Sequence, residues 1–171
     1  MKQNSLEVII GKIKEAWGPL SSEKISLARQ LLEGLAKTPV SEEWLAELLK
    51  QPDLDQELYR DPKHGFVLLA HMEKEGHYRV PHDHGSGWVI YAVQSGEMEM
   101  KTFRPIINQQ GEMNLVCRES YKVKAGECKV YLPQDIHDTK CVSGSVLMFR
   151  LTSCDLKKER HEGRMVRYAA I

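Results

Sequence analysis

Residues 80–100, VPHDHGSGWVIYAVQSGEMEM, place two histidines one residue apart, ahead of an alternating run that predicts a β-hairpin. Ser95 and Gly96 supply the tight turn between its two strands. On an extended strand, side chains at positions i and i+2 point to the same face. His82 and His84 therefore point together, and two imidazoles in this arrangement can chelate one ion. The stretch predicts a metal site on a β-sheet.

Short strands continue on both sides of this hairpin. After about residue 64, apolar residues recur at every second position, and no helical pattern separates one strand from the next. Many short strands of this kind imply an antiparallel sandwich or barrel. We predict strands over residues 66–72, 87–94, 97–103, 114–122, 129–132 and 146–152, with His137 at the start of another.

The first 60 residues have helical periodicity instead. Asn4 and Glu7 can form a capping box for a first helix, Ser21 or Ser22 begins a second, and Ser41 is expected to cap a short third. We therefore predict a helical segment over residues 1–60 that packs on a β-barrel over residues 61–171. The two parts are expected to form one structural unit.

Composition excludes several classes of function. The 24 basic residues balance the 24 acidic ones, so nothing predicts a nucleic-acid partner or a polybasic membrane surface. No apolar stretch approaches a membrane span, and the amino terminus does not have the pattern of a secretory signal. The four cysteines contain no C-x-x-C pair and are expected to be reduced thiols. We expect a cytoplasmic protein, and the sequence leaves its oligomeric state open.

A third histidine completes the predicted metal site. Gly126 and Pro133 bracket a strand and a turn, and His137 begins the next strand. A barrel brings distant strands together, so three imidazoles can converge on one ion. The remaining histidines lack this arrangement, although a supporting role for His71 stays open. Three imidazoles do not dictate the metal, because zinc, nickel, manganese or copper could also fit.

These two histidine stretches carry a family resemblance. GHYRVPHDH (residues 76–84) and GECKVYLPQDIH (residues 126–137) resemble the two motifs of the cupin superfamily. Most cupins add a glutamate ligand three or four residues after the second histidine, whereas here GSGWV (residues 85–89) has no carboxylate. In this the chain is similar to cysteine dioxygenase and related thiol dioxygenases. The resemblance implies a mostly β fold, a double-stranded β-helix or jelly-roll barrel preceded by N-terminal α-helices.

The resemblance also implies an activity. Thiol dioxygenases are non-heme iron enzymes, so the implied cofactor is Fe(II) and the implied partners are O₂ and a small thiol such as cysteine or a 3-mercaptopropionate-like acid. The sulfur would receive both oxygen atoms and become a sulfinate. Arg60 aligns roughly with the family's carboxylate-binding arginine. Arg150 is a second candidate, because on its strand it shares one face with Met148 and Thr152. Either arginine could instead be exposed to solvent.

Departures from the family pattern put L-cysteine in doubt as the substrate. Where mammalian-type cysteine dioxygenases alternate Ser, His and Tyr along the last strand, this chain has Met148, Arg150 and Thr152. Val89 stands where those enzymes have the cysteine that crosslinks to that tyrosine. Tyr91 or Tyr131 could supply a phenol instead. Two alternatives therefore stay open: a three-histidine cupin dioxygenase that cleaves a diketone or aromatic substrate, and a non-catalytic metal- or ligand-binding cupin.

Overall fold

The computed structural model describes residues 3–51 and 53–169, and within them it contains four helices and nine strands. The helices are α1 (Ser5–Ala16), α2 (Ser22–Ala36), α3 (Glu43–Leu49) and α4 (Leu156–His161). The strands are β1 (Asp55–Arg60), β2 (Val67–Lys74), β3 (Tyr78–His82), β4 (Val89–Ser95), β5 (Glu97–Ile107), β6 (Met113–Lys124), β7 (Cys128–Tyr131), β8 (Ile136–Cys141) and β9 (Ser145–Thr152). None of these helices has the length and apolar character needed to span a bilayer.

The strands form two antiparallel sheets that face each other. One sheet has the order β1-β2-β9-β4-β7 and the other β3-β8-β5-β6. Without the added edge strand β1, this is the order of an eight-stranded jelly roll, in which consecutive strands alternate between the sheets except at the β5–β6 hairpin. The predicted fold is therefore confirmed: the chain has a mostly β cupin fold, a double-stranded β-helix preceded by helices.

Capping signals placed two of the three N-terminal helices correctly. Asn4 and Glu7 form the predicted capping box on α1. At the start of α2, the Ser21 side chain accepts a hydrogen bond from the backbone N–H of Lys24. The prediction of Ser41 as a cap is wrong, because Glu42 is the N-cap of α3 and makes no side-chain cap. The Glu42 carboxylate instead accepts hydrogen bonds from the backbone and hydroxyl of Ser5, which ties α3 to α1.

Alternation along β9 divides the hydrophobic core in two. Leu147, Phe149 and Leu151 face the N-terminal helices, which cover the outer face of the five-stranded sheet. Val146 and Met148 face the interior of the barrel. Because successive side chains on a strand point to opposite faces, Arg150 must share the interior face with Met148. Met148 and Arg150 on this face line a cavity inside the barrel.

Three elements were not predicted. Strand β1 pairs with β2 but is mostly polar and exposed, so it has no apolar alternation. Strand β3 contains a proline and few apolar residues, and α4 is shorter than two turns. Strand β1 begins at Asp55, before the predicted barrel boundary at residue 61. The division into a helical segment and a barrel stays a prediction.

Candidate metal centre

Three histidines meet at one end of the barrel. His82 is the last residue of β3 and pairs with His137 on β8. His84 follows two residues later, and one ring nitrogen of each histidine lies within 4.8 Å of the others. The side chains of His84 and His137 are almost completely buried. The predicted convergence of three imidazoles is confirmed.

The backbone carrying His84 differs from the prediction. Strand β3 ends at His82, so the two histidines do not lie on one continuous strand. The buried Asp83 side chain holds the irregular segment that follows, because its Oδ1 atom accepts hydrogen bonds from the backbone N–H groups of Gly85 and Val166, each at 3.0 Å. The rings of His82 and His84 still lie close together, with centroids 5.1 Å apart.

The ring nitrogens are arranged to act as ligands. His82 Nδ1 lies 2.8 Å from the carbonyl oxygen of Val80, to which it can donate, so the Nε2 lone pair is free. The Nε2 atoms of His84 and His137 lie 3.4 Å apart. Burial lowers the pKa of all three histidines, most strongly for His84 and His137. The imidazoles are therefore neutral at pH 7, which is the form that binds a metal.

This donor set fits a divalent metal ion. Nitrogens bound at ~2.0–2.1 Å to one ion stand roughly 3–3.4 Å from one another, which is the separation seen between His84 and His137. The Nδ1 atoms of the same two rings are buried and lack a hydrogen-bond partner in the part of the chain that is described. Within residues 3–51 and 53–169, no carboxylate joins the three histidines as a fourth ligand. The cluster could hold a metal with coordination positions left open, and its geometry does not identify the metal.

A cavity of about 570 Å³ opens onto the histidines. His82 and His84 form part of its wall, and Met148, Arg150 and Thr152 of β9 form another part. The face of β9 that carries Arg150 therefore lines the cavity, as a substrate-binding role for Arg150 requires. Its side chain is half-buried, and its Nε atom is buried without a hydrogen-bond partner among the described residues.

Arg60 also lines the cavity, but its guanidinium is already engaged. It donates two hydrogen bonds to Glu57, at 2.9 and 2.7 Å, and one of 2.7 Å to Asp155. These carboxylates raise the pKa of Arg60. A substrate carboxylate would have to displace one of these ion pairs, so the role predicted for Arg60 stays a prediction.

Two tyrosines contact the histidine cluster. The Tyr91 hydroxyl lies 3.2 Å from His84 Nε2. The Tyr131 ring stacks on His137 with a centroid distance of 3.7 Å, and its hydroxyl lies 2.6 Å from that of Tyr121. Burial raises the pKa of both Tyr91 and Tyr131, so both are neutral phenols. Tyr91 lines the cavity and is the better placed to meet a ligand.

His71, for which the sequence left a supporting role open, lines the cavity. It lies on β2 opposite Met148, and its Nδ1 atom is 2.9 Å from Asp55 Oδ1. Burial and the neighbouring Arg150 charge lower the pKa of His71, so it is neutral and donates from Nδ1. Its Nε2 atom is a buried acceptor with no partner in the described part of the chain. The available signal was a histidine in an otherwise apolar strand.

Comparisons with known proteins add a distant likeness. No protein-family model and no curated protein matches the sequence. A cupin superfamily protein from Desulfitobacterium hafniense is similar, with 16% identity over 65% of this chain and 88% of that one and a TM-score of 0.49. The Schizosaccharomyces pombe Cnp3 cupin domain has 10% identity over 64% of this chain and 66% of its own length, with a TM-score of 0.47. Oxalate oxidase in complex with glycolate has 17% identity over 68% of this chain and 56% of that one, with a TM-score of 0.46. Likenesses this distant carry no information about substrate.

Proposed function

We propose that the chain is a metal-dependent dioxygenase of the thiol dioxygenase kind, which adds O₂ to the sulfur of a small thiol acid to give a sulfinate. The substrate would be cysteine or a 3-mercaptopropionate-like acid. One observation carries the proposal: three neutral imidazoles form a cluster that no carboxylate of residues 3–51 and 53–169 joins, and two of them, His82 and His84, line a cavity that Arg150 also lines. Neutral ligands leave the charge of a divalent ion uncompensated, which favours an anionic ligand such as a thiolate.

The residues in and beside the cavity would have three different roles. His82, His84 and His137 would hold Fe(II), which supplies a Lewis acid for the thiol and electrons for O₂. The guanidinium of Arg150 can bind a substrate carboxylate through two parallel hydrogen bonds. Tyr91 is neutral and lies beside His84, so its hydroxyl can donate a hydrogen bond to a bound ligand or hold a proton there.

Metal analysis followed by oxygen uptake tests the proposal. Protein purified under iron-rich conditions should contain iron and consume O₂ with cysteine or 3-mercaptopropionate, forming a sulfinate. His82→Ala and His137→Ala should lose iron and more than about 100-fold of the activity, because changes to outer partners of metal ligands alone cost 10–100-fold. His161→Ala is the matched control, since His161 is exposed at the end of α4 and lies outside the cluster.

The other outcomes separate the alternatives. A full complement of iron with no oxygen uptake for any thiol would contradict the proposal. Oxygen uptake with a diketone or a catechol, independent of thiols, would favour a carbon–carbon-cleaving dioxygenase. Stoichiometric metal with no uptake for any of these compounds would favour a non-catalytic binding module.

A further inference from the structure

The wall of the cavity has an excess of positive charge. Six arginine and lysine residues line it, against four aspartate and glutamate residues. Burial lowers the pKa of His71, so this histidine of the wall is neutral and does not change the balance. A cavity of about 570 Å³ with two uncompensated positive charges favours an anionic occupant.

Three of the four carboxylates form ion pairs with an arginine, and the fourth, Asp55, accepts a hydrogen bond from the neutral His71. The ion pairs are 2.5 to 2.7 Å long, so these three carboxylates are not free to neutralise the remaining cations. The pairs are Asp55 with His71, Glu57 with Arg60, Glu73 with Arg79, and Asp155 with Arg60.

Three arginines of the wall have no such partner. Across residues 3–51 and 53–169, no carboxylate lies within 4.0 Å of Arg150, Arg160 or Arg167 (the described ion pairs all involve other basic residues). Arg150 is half-buried beside the histidines, whereas Arg160 and Arg167 are exposed. Burial lowers the pKa of Arg160, and the positive charges of Arg167 and Arg150 lower it further.

The buried Nε atom of Arg150 makes this arrangement costly without a ligand. A buried charged donor without an acceptor loses its hydration and gains nothing in return. Arg160 and Arg167 alone would be ordinary solvated surface residues. They line the same cavity as Arg150, however, and that cavity reaches the histidine cluster. Unpaired cations at two depths suit a molecule with one anionic group near the histidines and another nearer to solvent.

We infer that this cavity takes a small dicarboxylate, with one carboxylate on Arg150 and the second on Arg160 and Arg167 at the exposed part of the wall. The identification of this dicarboxylate as a substrate that also carries a thiol rests on the proposed function. The charge arrangement itself does not, because it concerns binding alone.

Isothermal titration of the full chain tests the inference with succinate and propionate, which differ by one carboxylate. The titrations are done at matched ionic strength, without metal and with Fe(II) under anaerobic conditions, so that no turnover occurs. Succinate should bind at least about tenfold more tightly than propionate in both cases, since a charge-assisted hydrogen bond is among the strong ones. Arg150→Met and Arg160→Met should each reduce succinate affinity by about tenfold.

Arg29→Met is the matched control, because Arg29 is exposed on α2 and has Glu33 as its partner. Equal affinities for succinate and propionate would overturn the inference, as would an equal loss in Arg29→Met. A succinate preference seen only with Fe(II) would also overturn it, because the second carboxylate would then bind the metal. Arg160 is exposed, so its variant remains informative if Arg150→Met fails to fold. Succinate binding without thiol-dependent oxygen uptake would contradict the proposed function and leave this inference intact.

Discussion

Gly85 follows directly after His84 of the candidate metal centre and has no room for a side chain. Its φ is +61°, in the left-handed region that disfavours other residues. A Cβ atom there would lie 2.5 Å from Glu159 Oε2 and 3.2 Å from the backbone carbon of Arg164. The turn that follows His84 is therefore packed against the C-terminal segment.

Gly85→Ala should destabilise the protein and weaken metal binding. The positive φ costs about 1 kcal/mol and the overlap with Glu159 adds about 1–3 kcal/mol, so we expect a total loss of about 2–4 kcal/mol. Gly111→Ala is the matched control, because Gly111 has φ +81° but open space around it, and it should lose only about 1 kcal/mol. Urea unfolding and bound-metal analysis measure both effects. Equal stability losses in the two variants would contradict this account of Gly85.

At the scale of the element, one buried carboxylate joins α4 to the turn at Gly85 and Ser86, which follows His84. Glu159 accepts hydrogen bonds from the backbone and hydroxyl of Ser86, both at 2.9 Å. It also accepts from Arg164 at 2.9 and 2.6 Å. The arginine, with help from Ser86, lowers the pKa of Glu159 from its ordinary value of 4.5 to about 2. Its charged form thus stabilises the fold.

Glu159→Gln should remove this stabilisation in a pH-dependent way. Because the folded-state pKa is depressed, the contribution is fully present above the unfolded value of 4.5 and is lost as pH falls towards about 2. The variant should be less stable than the parent chain by about 1–3 kcal/mol at pH 7, and the difference should shrink between pH 5 and 2. Urea titrations across this pH range measure it. Glu162→Gln, at a more exposed carboxylate, is the control, and a difference independent of pH would refute the assignment.

Local signals explain which elements could be predicted. The capping box at Asn4 and the alternation along β9 depend on neighbouring residues, and both were read correctly. The same alternation grouped Arg150 with Met148 and Thr152 on one face of β9, and the structure shows that this face lines the cavity. Strand β1 has no such signal, because its side chains are mostly exposed and it is held by pairing with β2.

Contacts between distant segments explain what could not be predicted in the site. The three histidines were found from two motifs, and the structure brings them together. The turn at His84 depends on Asp83 binding the backbone of Val166, 83 residues away in sequence. Likewise, Arg60 is engaged by Asp155, 95 residues away. No pattern of neighbouring residues encodes either contact.

At the scale of the whole molecule, the N-terminal helices and the outer face of the five-stranded sheet share one of the two hydrophobic clusters. Trp17, which follows α1, stacks on Phe66 at 4.4 Å and lies 5.5 Å from Trp88, both in the barrel. Leu32 of α2 is fully buried in the cluster that contains Phe149 of β9. Because apolar burial contributes most of the stability of a domain, neither part is expected to unfold alone.

Leu32→Ala should therefore destabilise the barrel as well as α2. Truncating a fully buried leucine costs about 2–5 kcal/mol, whereas Leu27→Ala on the same helix should cost less than about 1 kcal/mol because Leu27 is 39% exposed. Circular dichroism at the helical band and hydrogen exchange of barrel amides, followed through urea unfolding, measure the two parts separately. A single shared transition, displaced in Leu32→Ala and little changed in Leu27→Ala, is expected. Loss of the helical signal at lower urea, with barrel protection unchanged, would show that residues 1–60 fold as a separate unit. The candidate metal centre would then depend on the barrel alone.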